Sequence, residues 1–156
     1  MTDKNELFSL LINGTAQILM DEKNRDEKFR AICKLLRQNV SYYDWVGFYL
    51  VDKERRNELL LGPFEGEPTV HVRIPFGEGV CGQAAELRKA FVVQDVSKEM
   101  NYLPCSANVK SEIVIPIFKN EEVVGEIDID SFILEPFTKE DETFLRKIGE
   151  MVSGLL

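Results

Sequence analysis

The sequence has few cysteine and histidine residues, which form disulfide bonds and bind metal ions. It contains three cysteines, none of them clustered, and a single histidine, His71. An odd number of scattered cysteines argues against the disulfide framework of a small secreted protein and against a cysteine-based zinc site. One histidine also excludes a histidine-rich metal centre. The composition therefore predicts no metal site.

Long apolar runs and an excess of positive charge are absent too. No run approaches the roughly 20 apolar residues that span a bilayer, and the N-terminus MTDKNELFSL lacks the layout of a signal peptide. Acidic side chains outnumber basic ones by 27 to 19, and the net charge of -8 repels phosphate backbones and anionic lipid surfaces. We therefore expect a cytoplasmic protein without nucleic-acid or membrane partners.

What the chain does contain is enough apolar sequence for one sizeable core, 44% of 156 residues. No repeat or flexible linker divides it, so residues 1–156 are predicted to form one domain. Apolar residues at helical spacing predict two N-terminal helices, and the Thr-x-x-Asp signal in "TKED" predicts the start of a C-terminal one. From Asp44 onward a period of two predicts about six short strands. This order predicts an α+β fold, an antiparallel sheet with helices grouped against one face.

Two of the predicted strands have faces of opposite character. In "WVGFYLV" Trp45 and Tyr49 share one side, and in "GEIDID" Glu126, Asp128 and Asp130 share one side, with aliphatic residues opposite. The aliphatic sides suit the helix layer. An acidic strand face usually meets water, but it can also line a cavity covered by loops. Large aromatic side chains beside carboxylates favour the cavity, and a ligand with one apolar and one cationic end.

The three cysteines occupy different settings. In "PFGEGVCGQAAELRK" Cys81 lies in the first turn of a predicted helix, where backbone N–H groups favour a thiolate. Cys105 lies in the longest stretch without clear secondary structure, residues 95–112. Either cysteine alone is more often a small buried hydrophobe, but two loop-associated cysteines together favour redox chemistry. Cys33 lies on the apolar stripe of the second helix and is assigned to the core.

Several motifs follow one another in an order that points to a known family: WVGFYL, LGPFEG, IPFGEGVCG, SEIVIPI and GEIDIDS. In this order they resemble the free methionine-(R)-sulfoxide reductases, which are single GAF domains. The resemblance implies a GAF-like sheet with the N- and C-terminal helices on one face and loops covering a pocket on the other. It also implies reduction of free L-methionine (R)-sulfoxide to methionine, thiols restored by thioredoxin, and no metal or organic cofactor.

The resemblance carries the family's site residues over by position. The family's nucleophile matches Cys105, and its glycine-flanked cysteine matches Cys81. Ten positions before Cys81, where family members commonly have a resolving cysteine, this sequence has His71. A lone histidine on a strand is more often a satisfied polar residue than a catalyst, so we assign it no catalytic role. The family's carboxylates and pocket aromatics match Trp45, Tyr49, Glu112, Asp128 and Asp130.

We hypothesise a reaction in which the Cys105 thiolate attacks the sulfoxide sulfur. A protonated carboxyl, that of Glu112 or of Asp130, would give a proton to the departing oxygen. Cys105 would become a sulfenic acid, and Cys81 would condense with it to a disulfide that an external dithiol reopens.

The substrate itself sets the other requirements of the pocket. Its ammonium group needs acidic partners, which Asp128 with Asp130 or Glu112 could supply. Its methyl group needs an apolar wall, which Trp45 and Tyr49 could form, and loop amides could bind its carboxylate.

A second class of function stays open at this point. GAF domains often act as sensor modules, so the chain could bind a small amino-acid-like metabolite without turning it over. The exposed faces of the first and last helices leave a homodimer possible.

Overall fold

The computed structural model describes residues 3–104 and 106–156. Within them the chain alternates helices and strands, joined by short turns and by one long loop before the fifth strand. The elements are α1 (Lys4–Met20), α2 (Arg25–Asn39), β1 (Trp45–Val51), β2 (Glu58–Glu65), β3 (Arg73–Pro75), α3 (Gly79–Leu87), β4 (Phe91–Val93), β5 (Ser111–Lys119), β6 (Glu122–Ser131) and α4 (Lys139–Val152). No helix in this described part is long and apolar enough to cross a membrane.

The strands form a six-stranded sheet in the order β3-β2-β1-β6-β5-β4. Every pair of neighbouring strands is antiparallel, as the α+β prediction required. β3 covers only Arg73–Pro75 of the segment "TVHVRIP", whose alternation predicts a longer strand, because the backbone of His71 forms its hydrogen bonds outside the sheet ladder. The N–H of His71 donates to Thr69 Oγ1 at 3.1 Å, and its carbonyl accepts from the Tyr49 hydroxyl at 2.9 Å.

The main hydrophobic core lies between the sheet and a layer formed by α1, α2 and α4. Val46 and Phe48 of β1 and Ile127 and Ile129 of β6 point into it, as their alternation predicted. Cys33 is fully buried in the same core, which confirms its structural assignment. The predicted capping box is present at the start of α4, where Thr138 and Asp141 hydrogen-bond each other's backbone.

The opposite face of the sheet is covered by α3 and by the long loop between β4 and β5. A second, smaller apolar cluster lies there, with Trp45 and Tyr49 of β1, Val114 of β5 and Cys81 of α3 among its buried members. The side of the sheet that carries the acidic and aromatic residues is therefore enclosed rather than open to water.

Candidate active site

The three acids of β6 lie under α3 and are buried. Glu126 is 0% exposed, Asp128 1% and Asp130 2%, because all three project from the enclosed face of the central strand. Glu112 of β5 is also buried and pairs across the strands with Asp130. The alternative of a solvated acidic strand face is therefore wrong, since α3 and the loop exclude water from it.

Burial leaves several of these carboxyl oxygens without a hydrogen-bond partner among the described residues. They are both oxygens of Glu126, Oδ1 of Asp128 and Oδ1 of Asp130. Burial raises the pKa of each of the three acids, and the nearby Asp128 raises those of Glu126 and Asp130 further. A buried carboxyl of raised pKa holds its proton at higher pH, so this cluster can store and donate protons.

Cys81 lies at the edge of this acidic cluster, in the first turn of α3. Its Sγ donates to Oε2 of Glu112 over 3.8 Å, and the side chain is buried. Burial raises the pKa of the Cys81 thiol, and the charges of Asp128, Glu126, Glu112 and Asp130 raise it further. The expectation of a thiolate at the helix start is therefore wrong, because burial and four acids outweigh the helix dipole.

The long loop is anchored to the start of α3 by Asn101, a residue that the sequence did not single out. The Asn101 side chain accepts from the N–H of Gly79 at 2.8 Å and donates to the carbonyl of Gly77 at 2.7 Å. Leu103 packs against Gly79, whose φ is +66°, so closely that a Cβ there would lie 2.8 Å from Leu103 Cγ. Glycine is required at this position both for its conformation and for the loop contact.

The predicted aromatic wall is present on the same face. Trp45 and Tyr49 lie with ring centroids 6.4 Å apart. The Trp45 indole donates to the carbonyl of Glu67 at 2.9 Å, which leaves its ring face to pack on neighbours. Nε2 of His71 lies 3.0 Å from the carbonyl oxygen of Pro104, so this histidine contacts the loop directly beside Cys105.

The enclosed space forms two small cavities of about 10 Å³ each, instead of the one pocket that the sequence predicted. Cys81, Glu112 and Asp128 line one, and Trp45 and Asp130 line the other. Loop side chains fill the remaining space, and each cavity holds about one water molecule. A larger cleft of about 780 Å³ lies elsewhere, between α2 and the β1–β2 hairpin, and contains none of the predicted site residues.

Cys105, the predicted nucleophile, lies outside the described residues. Its neighbours along the chain are described. The carbonyl oxygen of Pro104 accepts from Nε2 of His71, and Ser106 lines the cavity that contains Trp45 and Asp130. The other predicted site residues all lie on or beside the enclosed face of the sheet: Trp45, Tyr49, Cys81, Glu112, Asp128 and Asp130.

Comparison with known proteins agrees with this geometry. The family profile "GAF domain" matches residues 24–156. The free methionine-R-sulfoxide reductase of Escherichia coli strain K12 is 35% identical over 154 residues, 99% of this chain and 87% of the relative. The reduced structure of fRMsr of Staphylococcus aureus is 40% identical, with a TM-score of 0.86 over 96% of this chain and 94% of that one.

A second solved structure includes a bound substrate. The free methionine-R-sulfoxide reductase of Neisseria meningitidis, in complex with its substrate, is 32% identical and superposes with a TM-score of 0.86, covering 99% of this chain and 91% of that chain. Fold and family profile together define a GAF domain protein. Within that class, the chain belongs to the free methionine-R-sulfoxide reductases, a family of oxidoreductases.

The raised carboxyl pKa values predict that stability declines with rising pH. The folded protein keeps protons that the unfolded chain releases above the ordinary pKa values of 3.8 for Asp and 4.5 for Glu. The free energy of unfolding should therefore fall from about pH 4 upward, until the pH reaches the raised values of the folded state. Urea denaturation followed by circular dichroism at pH 4.5 to 8.5 measures this slope.

Substitution of Glu126, a fully buried member of these acids, tests its contribution to the pH dependence of the free energy of unfolding. Glu126→Met replaces an unpartnered carboxyl by an apolar group of similar size, and we expect it to raise the free energy of unfolding at pH 8 by about 1–3 kcal/mol. The gain should be smaller near pH 4, where the wild-type carboxyl is protonated in both states and only the cost of burying a neutral polar group remains. Glu122→Met, on an exposed position of the same strand, is the matched control. A gain that is independent of pH would contradict the assignment.

Proposed function

We propose that this protein reduces free L-methionine (R)-sulfoxide to L-methionine, with Cys105 as the nucleophile. The observation that carries the proposal is the buried group of Cys81, Glu112 and Asp128, with Asp130 beside it, under the loop that contains Cys105. Relatives named free methionine-R-sulfoxide reductase match nearly the whole chain. We also propose that residues 1–156 act as one GAF domain.

The substrate groups find chemically matched partners in this pocket. The ammonium group would pair with Asp128 together with Asp130 or Glu112. Oδ1 of Asp128 and Oδ1 of Asp130 are buried without a hydrogen-bond partner among the described residues. Trp45 and Tyr49 would form the apolar wall for the methyl group. Because the cavities are far smaller than methionine sulfoxide, the loop must move for the substrate to enter.

The chemistry follows from the protonation of the cluster. The Cys105 thiolate attacks the sulfoxide sulfur, and the oxygen leaves sulfur as methionine departs, giving a Cys105 sulfenic acid. Asp130, whose pKa burial raises, or Glu112 supplies the proton that the oxygen needs. In this first half of the reaction, one thiol and one sulfoxide are converted to one sulfenic acid and one thioether.

Cys81 would complete the cycle. Its thiol condenses with the Cys105 sulfenic acid, releasing water and forming a disulfide. This bond requires the two α-carbons to approach within about 7 Å. A dithiol such as thioredoxin then reduces this disulfide, and its own two thiols are oxidised to a disulfide. A homodimer through the exposed faces of α1 and α4 remains part of the proposal.

Two features favour a second function, that of a sensor that binds a methionine-like metabolite without turnover. His71 stands where family members commonly have a resolving cysteine, and it lines the cavity beside Cys81. In addition, the raised pKa of the Cys81 thiol slows any reaction that needs its thiolate.

An assay for free methionine distinguishes the two functions. The protein is incubated with dithiothreitol and racemic methionine sulfoxide, and methionine is measured by amino-acid analysis. The proposal expects catalytic methionine formation that stops when half of the racemate is consumed, because only the R form reacts. Binding of the sulfoxide without methionine formation would support the sensor. N-acetylmethionine sulfoxide, which lacks the ammonium group, is the control substrate and should react poorly.

A further inference from the structure

The group formed by Cys81, Glu112 and Asp128 has the composition and size of a metal site. We propose that these three residues bind a thiophilic divalent cation, Zn²⁺, in the reduced protein. One ligand atom from each residue lies within 4.8 Å of the others, and all three side chains are buried. They come from α3, β5 and β6, so no spacing along the sequence reveals them.

The distances are close to those of a tetrahedral zinc site. Zn–S bonds of about 2.3 Å and Zn–O bonds of about 2.0–2.2 Å place sulfur and oxygen ligands about 3.5 Å apart. The distance from Cys81 Sγ to Glu112 Oε2 is 3.8 Å, so this pair needs almost no adjustment. Because the ligand atoms lie within 4.8 Å of one another, Asp128 would approach by about 1.3 Å at most. The cavity that these residues line, about 10 Å³, has room for about one small ion.

Buried oxygens without partners provide an independent reason to expect a cation. Oδ1 of Asp128 and of Asp130 and both oxygens of Glu126 are buried without partners among the described residues. No lysine or arginine is found among the described side chains that line the Cys81 cavity. A divalent cation would neutralise this excess of acceptors. The thiol selects zinc over calcium or magnesium, which prefer oxygen ligands.

Binding replaces the Cys81 proton. The S–H bond breaks, an S–Zn bond forms, and the thiol proton leaves to solvent together with any proton that the carboxyl ligands hold, so zinc affinity rises with pH. If the proposed reductase function holds, bound zinc also inhibits it, because the ion occupies the position of the substrate ammonium group and removes the Cys81 thiol from the cycle. A chelator should restore the activity.

Zinc binding is measured without substrate, which separates this proposal from the enzymatic one. Reduced full-length protein is titrated with Zn²⁺ against a chromophoric chelator, and with Co²⁺ to detect a thiolate-to-cobalt charge-transfer band. All variants carry Cys105→Ser, so that Cys81 and Cys33 are the thiols that remain of the three. We expect one zinc per chain and the cobalt band in this background.

The ligand variants then test the three residues. Cys81→Ser should weaken zinc binding at least about 100-fold and remove the cobalt band, and Asp128→Asn should weaken it about 10- to 100-fold while the band remains. Cys33→Ser, in the helix-side core, should leave the affinity within about twofold of the background protein. Circular dichroism checks the fold of each variant. Absence of stoichiometric zinc binding would overturn the proposal, and so would zinc binding by Cys81→Ser and Asp128→Asn as tight as that of the Cys105→Ser background protein.

Discussion

Replacement of Cys105 by serine is expected to abolish methionine formation, with a loss of at least about 10³-fold in kcat/KM. Serine keeps the size of the side chain, but its hydroxyl is neither ionised at neutral pH nor able to accept the sulfoxide oxygen as a sulfenic acid. The measurement is methionine formed per chain with thioredoxin as reductant. Cys105→Ser with full activity would refute the nucleophile assignment.

Replacement of Cys81 should act at a later step of the same cycle. We expect Cys81→Ser to form about one methionine per chain and then to turn over slowly with thioredoxin, because the sulfenic acid has no internal thiol to condense with. Trapping with dimedone, without reductant, should label Cys105 in Cys81→Ser and not in the wild type. Cys33→Ser, in the core between sheet and helices, is the matched control and should turn over normally. Repeated rapid turnover by Cys81→Ser with thioredoxin would show that it is not the resolving thiol.

The sheet and its helices could be predicted because their signals are local. Alternation in "WVGFYLV" and "GEIDID" separated the residues that meet the helix layer from those that do not, and both strands lie as expected. The capping signal at Thr138 placed the start of α4. Each of these features depends on neighbours in sequence, so no tertiary information was needed to find it.

The protonation of the site depends instead on contacts between distant elements. The sequence places Cys81 at a helix start, which favours a thiolate, but it does not reveal that acids from β5 and β6 lie beside the sulfur. It likewise shows an acidic stripe without showing that α3 covers it. Asn101 has a weak local signal, a single asparagine in a loop, although it links that loop to α3. The role of a residue such as Asn101 can be predicted only when the positions of α3 and the long loop over the sheet are known.

The helix layer on the other face of the sheet depends on one buried carboxylate at the start of α4. Oδ1 of Asp141 accepts from the hydroxyls of Tyr42 and Tyr43, at 2.7 and 2.8 Å. Oδ2 accepts from Lys4 Nζ at 2.7 Å and from the N–H of Thr138 at 2.9 Å. Asp141 therefore joins α1, the segment before β1, and α4, and it is 0% exposed.

Asp141→Ala is expected to lower the free energy of unfolding by about 3–5 kcal/mol, the usual cost of breaking a buried ion pair from one side. The loss arises because the buried Tyr43 hydroxyl loses its acceptor, and because the Lys4 ammonium group loses its anionic partner and keeps only the neutral acceptors Pro136 O and Thr138 Oγ1. Urea denaturation monitored by circular dichroism measures it, and an unchanged m-value would show that the denatured state is the same. Glu142→Ala, one position further along the same helix turn, breaks pairs with exposed Lys139 and Arg146 and should cost at most about 1 kcal/mol. Similar losses in the two variants would mean that Asp141 acts as an ordinary helix-start carboxylate, and that the contacts between α1, β1 and α4 are held by apolar packing alone.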